Sequence, residues 1–392
     1  MPDTRVWFDP QSQERNGRWR KALDVATGKL PERQRSATWW DRIRARLHAF
    51  HLQRPAPQGL PQRAADLLAP PSWDEREAWQ LLRPRLLADC VGQRAVIESL
   101  DIAIRACRER GEPLDHVLLH GQPGLGKTTF ARVIARELGG QFRETSGLKL
   151  SRVADFVAIL MGMEEGDVLC IEAVHHLSTD VADLLCQVLA ESTVDIVFGK
   201  EAPRRVYRSR VPNCTVLGTA TCLGAVPRRL RDHFGLCFQL GLYSTDDMAI
   251  LLRRAASLLA IDADDDAVRM IAERSRGTPR VAYRLLRRIR DYAQVRGAGR
   301  VNSEDAAAAL RLEGIDDLGL TAWDRAVLTT LVRQYRGGPV AVGTLLGPLR
   351  REERGPADSI EQYLLASGLI AGTPRGVVAT EKAYQHLGCA PP

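Results

Sequence analysis

The chain has 392 residues, 45% of them hydrophobic and 26% charged, with a net charge of +7. That length supports two or three domains, each with its own core. No apolar run approaches the ~20 residues that span a bilayer, and Met1-Pro2-Asp3-Thr4-Arg5 lacks the apolar stretch of a secretory leader, so the expectation is a soluble cytoplasmic protein with no membrane partner. The eight cysteines, at 90, 107, 170, 186, 214, 222, 237 and 389, include no C-x-x-C pair. This argues against a zinc ribbon or a disulfide framework and for small buried hydrophobes.

The charge is concentrated at the start of the chain, where residues 1–60 hold 12 Lys and Arg against 6 Asp and Glu. Such an arm either contacts a polyanion such as nucleic acid or forms a solvated tail. Within it Trp39, Trp40, Ile43, Leu47 and Phe50 recur at helical spacing, with Arg42, Arg44, Arg46 and His48 between them, as in a short amphipathic basic helix. The prolines and glycine from Arg54 to Pro61 then read as a linker. Residues 1–75 are therefore a basic extension and linker, with a boundary near 75.

From about 83, strand-like apolar runs alternate with amphipathic helices: strand 116–120, helix 127–138, strand 167–172, helix 179–190 and strand 214–219. That rhythm predicts an α/β domain over 76–240, a parallel sheet covered on both faces. Its first strand, with Val117-Leu118-Leu119, runs into His120-Gly121-Gln122-Pro123-Gly124-Leu125-Gly126-Lys127-Thr128-Thr129. The pattern G-x-x-x-x-G-K-T between a strand and a helix is a phosphate-binding loop. Gly121, Gly124 and Gly126 let backbone N–H groups, with those of Leu125 and Thr129, turn inward around phosphates. Lys127 adds charge near the terminal ones, and Thr128 offers its hydroxyl to Mg²⁺.

After Tyr243 the strands stop, and helices, including 246–259 and 279–295, fill a second domain over 241–316. The block 317–392 contains two or three short helices and two extended runs, Gly368 to Ala371 and Gly376 to Ala379, around Thr373-Pro374-Arg375-Gly376. A helical unit that ends in a β-hairpin predicts a winged helix.

Taken in order, Arg110-Gly111-Glu112-Pro113-Leu114-Asp115-His116 leading into the phosphate loop, Thr145-Ser146-Gly147, Glu165-Gly166-Asp167-Val168-Leu169, Asp195-Ile196-Val197, Arg276-Gly277-Thr278-Pro279-Arg280 and Thr373-Pro374-Arg375-Gly376 strongly resemble the RuvB family, bacterial AAA+ motors of Holliday-junction branch migration. The likeness runs from about 82 to 389; the first 75 residues have no counterpart. It implies a P-loop AAA+ sheet domain, a helical lid and a C-terminal winged helix. The assembly it implies is a homo-hexameric or mixed ring on branched or duplex DNA, with ATP and Mg²⁺ between subunits and RuvA as partner. It places Leu82 and Arg83, with Val91-Gly92-Gln93, near the adenine, has Tyr243 close the base pocket, and makes Arg280 the lid arginine that senses the γ-phosphate. Thr221 reads the phosphate from the end of a strand, Glu172 stands at the metal with Thr128, and Arg375 contacts DNA. The segment Asp195 to Val211 resembles the family hairpin that contacts RuvA, although its composition equally suits an ordinary hairpin.

Three positions depart from the family pattern. Where the family has Asp-Glu after four apolar residues, this chain has Glu172-Ala173. Glu172 still reaches the metal's hydration shell, but Ala173 cannot act as a base. Where the family places an arginine finger before Phe-Gly, this chain has His233, with Arg231 two residues earlier. In the wing, Gly372 and Val377 stand at two basic positions, leaving Arg375 between them. The expected protein is a RuvB-like motor subunit of recombination and repair that binds ATP and hydrolyses it poorly. The alternative is a non-hydrolysing ATP-binding scaffold or regulatory subunit.

Overall fold

The computed structural model describes residues 6–8, 82–198, 205–346 and 357–391. The basic helix around Trp39, the linker and the boundary near 75 lie outside these residues. The chain divides into two units, the larger taking in residues 81–194 and 210–392 and the smaller residues 5–80 with 195–209.

In the smaller unit β1 (Val6–Phe8) pairs in parallel with Ile196–Phe198. In chain order the larger unit begins with α1 (Arg94–Arg110), β2 (Val117–His120), α2 (Lys127–Leu138), β3 (Phe142–Ser146), α3 (Val153–Met161), β4 (Val168–Glu172) and α4 (Thr179–Glu191). The hairpin expected at 195–211 follows as β5 (Thr193–Phe198) and β6 (Arg205–Arg210), neighbours in a sheet of order β1-β5-β6, with Arg208 paired to Asp195 at 2.8 Å. Then come β7 (Thr215–Ala220), the single turn α5 (Arg228–Arg231) and β8 (Leu236–Gln239).

The main sheet has the order β3-β4-β7-β2-β8, and every described pairing in it is parallel. Its three inner strands are buried along nearly their whole length. That is why they read as continuous apolar runs, as strands with helices on both faces must. The outer strands β3 (FRETS) and β8 (LCFQ) are only partly buried and alternate in character, so the apolar-run criterion passes over them. Gly218 in β7 fits only because it lacks a side chain, since a Cβ there would stand 2.9 Å from the Phe234 ring.

The lid contains α6 (Thr245–Leu258), α7 (Asp265–Arg274), α8 (Pro279–Arg296) and α9 (Ser303–Leu312). Their starts are set locally. The Ser244, Asp264 and Asn302 side chains each accept from the backbone N–H three residues on, and Pro279 opens α8 at a position that needs no donor. Met248, Leu252, Ile271, Leu285 and Leu286 form the lid core.

The last domain is the expected winged helix, although four described helices stand where two or three were expected: α10 (Ala322–Arg333), α11 (Val342–Leu346), α12 (Ala357–Ala366) and, after the wing, α13 (Glu381–His386). The wing is β9 (Ile370–Thr373) and β10 (Gly376–Ala379), with Thr373 opposite Gly376. Its first arm begins two residues later than expected. Gly368, at φ +70°, ends α12 by donating to the Leu365 carbonyl and cannot also open a strand.

Candidate nucleotide-binding site

The phosphate loop joins the end of β2 to the start of α2, where Gly121, Gly124 and Gly126 hold φ of +145°, +89° and +99°. These angles are open to glycine and strained for other residues. They aim the loop's N–H groups at the N-terminus of α2, a natural seat for an anion. The Lys127 ammonium folds back into the loop and donates to the carbonyls of Gly121 at 2.6 Å and Gln122 at 2.8 Å. Burial and the Arg280 guanidinium push it down to about 8, while Glu172 pulls the other way. A buried cation beside a second cation, with one carboxylate near, is the electrostatic imprint of a site that expects a polyanion.

The Thr128 hydroxyl donates to the Glu172 carboxylate, which lies at the end of β4. These two oxygens fit a hard cation, and among the described residues no cluster of three His, Cys, Asp or Glu side chains is placed to hold a resident metal. Mg²⁺ in this site would be held by Thr128, Glu172 and the phosphates. The next residue, Ala173, is left-handed at φ +53°, with its N–H donating to Thr219 Oγ1 at 3.2 Å. Thr221 directly follows the end of β7, whose Ala220 carbonyl accepts from Gly121 N–H at 3.2 Å, so the strand delivers Thr221 beside the loop.

The lid closes the other side. A Cβ on Gly124 would stand 2.9 Å from both Arg280 Cβ and Thr278 Cγ2, which places the Arg280 stem directly on the loop. The Tyr243 hydroxyl donates to the Leu125 carbonyl at 3.3 Å, and its ring packs so tightly on Gly92 that a Cβ there would stand 2.9 Å away. Leu82 packs with Tyr243 on the lid core, and Arg83 is exposed. Gln93 clasps Gly241, donating to its carbonyl at 2.7 Å and accepting from its N–H at 3.1 Å, which ties the strand before α1 to the hinge of the lid. Thr278 and Thr219 escape a sequence reading, because their partners are distant in the chain and no spacing marks them.

His233 lies elsewhere. It follows α5 and precedes β8, whose first residue, Leu236, donates to the His116 carbonyl at 3.1 Å, at the start of β2. The phosphate loop leaves from the far end of β2, on the order of 13 Å away for four extended residues. His233 therefore sits at the opposite edge of the sheet from its own phosphate loop. The neighbouring His116 imidazole is held below its usual range chiefly by burial, with Asp115 opposing and His233 adding to the depression. Arg231 closes the helical turn before it, half-buried, with its Nε buried and unpartnered.

Arg375 occupies the tip of the wing, exposed, its N–H donating to Thr373 Oγ1 at 3.3 Å. Gly372 is exposed beside it. Val377 is only 3% exposed and packs in the winged-helix core with Val340 and Ile370, so in this chain its position belongs to the core and not to the outer face of the wing.

A phosphate loop at the edge of a parallel sheet, a helical lid resting on that loop and a winged helix beyond it define an AAA+ nucleotide-binding protein built to act on DNA. Residues 82–240 match the Holliday junction DNA helicase RuvB P-loop domain, 243–316 the RuvB AAA lid domain and 317–388 the RuvB C-terminal winged helix domain. The RuvB subunit of the Holliday junction branch migration complex from Thermobifida fusca is 43% identical over 319 residues, covering 81% of this chain and 91% of that protein. That from Rubrobacter xylanophilus is 43% identical over 318 residues, covering 81% and 90%. The solved Thermotoga maritima RuvB Holliday junction branch migration motor is 40% identical with a TM-score of 0.71, over 79% of this chain and 99% of that one. The chain belongs to the RuvB family.

Proposed function

We propose that this chain is an ATP-binding motor subunit that acts on Holliday junctions or related branched DNA, in a homo-hexameric or mixed ring in the cytoplasm, and that it turns ATP over far more slowly than a subunit with a full hydrolytic set. One observation carries the first half: loop, lid and strand ends converge on one cradle, with Lys127, Thr128, Glu172, Thr221 and Arg280 around it. When bound, ATP with Mg²⁺ supplies the phosphoanhydride whose cleavage drives movement on DNA. Within the chain, Lys127 and the loop N–H groups hold the phosphates, Thr128 and Glu172 hold the cation, and Arg280 reports the nucleotide to the lid. Leu82, Arg83 and Tyr243 take the base. The hairpin of β5 and β6 is the surface offered to a RuvA-like partner, and Arg375 meets DNA.

The second half rests on Ala173 and His233. A positioned general base contributes about 10²- to 10⁴-fold in rate, and Ala173 has no group to offer. An arginine finger contributes about 10³- to 10⁵-fold because it stays charged and forks onto phosphate oxygens. A neutral imidazole does neither. The test is phosphate release with and without four-way junction DNA. Near-background release from a protein that binds ATP supports the proposal. Junction-stimulated turnover that disappears in Lys127→Ala overturns the claim of slow hydrolysis, and failure to bind ATP at all overturns the whole reading.

A further inference from the structure

The five residues Arg276-Gly277-Thr278-Pro279-Arg280 touch the phosphate loop at one end and the winged helix at the other. At the first end, Thr278 and Arg280 lie on Gly124, and the Gly277 carbonyl accepts from Tyr243 N–H at 2.9 Å. At the second, the Arg276 guanidinium donates to Asp324 Oδ2 at 2.9 Å in the first turn of α10 and stacks 4.4 Å from the centre of the Tyr363 ring on α12. Asp324 is 1% exposed, and the same Oδ2 accepts from Thr321 N–H at 2.8 Å and its hydroxyl at 2.7 Å. Tyr363 is anchored in turn, its hydroxyl donating to the Leu318 carbonyl at 2.5 Å.

The connection between the ends is short and stiff. Four residues span at most ~14 Å, Pro279 fixes one backbone angle, and Arg276 and Gly277 are both left-handed, at φ +59° and +61°. A residue with a long side chain adopts that conformation uncommonly, and such outliers gather where a structure is over-determined for a task. A second clasp runs alongside, since Arg274 pairs with Asp317 at 2.5 Å and a Cβ on Gly319 would stand 2.6 Å from the Arg274 carbonyl oxygen.

Resting on the reading that ATP occupies the loop and DNA the wing, we propose that Arg276 is a positioning residue that carries nucleotide state from Arg280 into the DNA-binding domain. A displacement of Arg280 by the terminal phosphate is passed through this loop to Arg276. The buried pair with Asp324 resists separation, because parting it would leave an uncompensated charge away from water. The winged helix therefore follows the lid. By linkage, DNA on the wing changes ATP affinity by the same factor that ATP changes DNA affinity.

The experiment uses the full chain and a fluorescent ATP analogue with Mg²⁺, titrated with and without four-way junction DNA. In the native protein, junction DNA shifts the analogue's affinity by about fivefold or more, the lower range of allosteric coupling. In Arg276→Ala the shift falls below about twofold on that same scale, while the analogue and the DNA each bind alone nearly as before. Arg276→Lys keeps the charge but loses the planar stack on Tyr363 and recovers only part of the coupling. If Arg276→Ala fails to fold by circular dichroism, Asp324→Asn gives the same readout, since its amide oxygen still accepts from Thr321 while the ion pair is gone. Full coupling in Arg276→Ala or Asp324→Asn overturns the proposal, as does a native protein that binds both ligands without linkage. A native protein that fails to bind one of them overturns the functional reading as well, which separates the two failures.

Discussion

Gly124 of the phosphate loop lies so close beneath Arg280 of the lid that a Cβ built on the glycine would stand 2.9 Å from the arginine's own Cβ. Gly124→Ala therefore meets two obstacles, a backbone at φ +89° and a lid with no room to stay in place. A left-handed alanine costs roughly 1–2 kcal/mol, which corresponds to about a tenfold loss of ATP affinity before any displacement of Arg280 is added. Titration with a fluorescent ATP analogue reads this directly; unchanged affinity would show that the lid does not rest on the loop.

Restoring the hydrolytic groups is expected to restore turnover. Ala173→Glu combined with His233→Arg raises phosphate release by at least about 10²-fold, the lower range for a general base. Each single change gives less than its share, because groups that act as a unit do not contribute additively. No gain in the double variant would place the block elsewhere in the machine.

Because His233 sits at the far edge of the sheet from its own loop, its replacement is expected to act on a neighbouring subunit. A protein carrying Lys127→Ala with His233→Arg, mixed with one carrying Ala173→Glu, gives more phosphate release than either alone. Turnover that merely averages the two would argue against a shared site.

In the wing, Arg375→Ala weakens junction binding at every sequence alike and lowers the slope of log affinity against log salt by about 0.9, the contribution of one phosphate contact on duplex DNA. Val377→Ala, in the core, affects the stability of the winged helix instead and leaves that slope unchanged. Fluorescence anisotropy across a salt series separates the two.

Much of the fold was legible in the sequence wherever local chemistry decides it. The inner strands β2, β4 and β7 announce themselves because burial on both faces demands an unbroken apolar run. The lid helices α6, α7 and α9 are opened by side-chain caps within three residues, and the phosphate loop is a contiguous motif whose glycines each serve a backbone angle. The outer strands β3 and β8 were not legible, since half-burial gives short mixed strings that any loop can share.

What the chain determines by itself is which groups are present: the loop that grips phosphate, the Glu172 that faces Thr128, and the absence of a base at 173 and of an arginine at 233. Tertiary structure alone decides where they act. The sheet places His233 an entire strand length from its own loop, the winged-helix core claims Val377, and Arg276 meets Asp324 forty-eight positions along the chain. Sequence records chemistry and local periodicity, whereas these relations arise from contacts between residues distant in the chain, which only the packing of strands and domains can bring together.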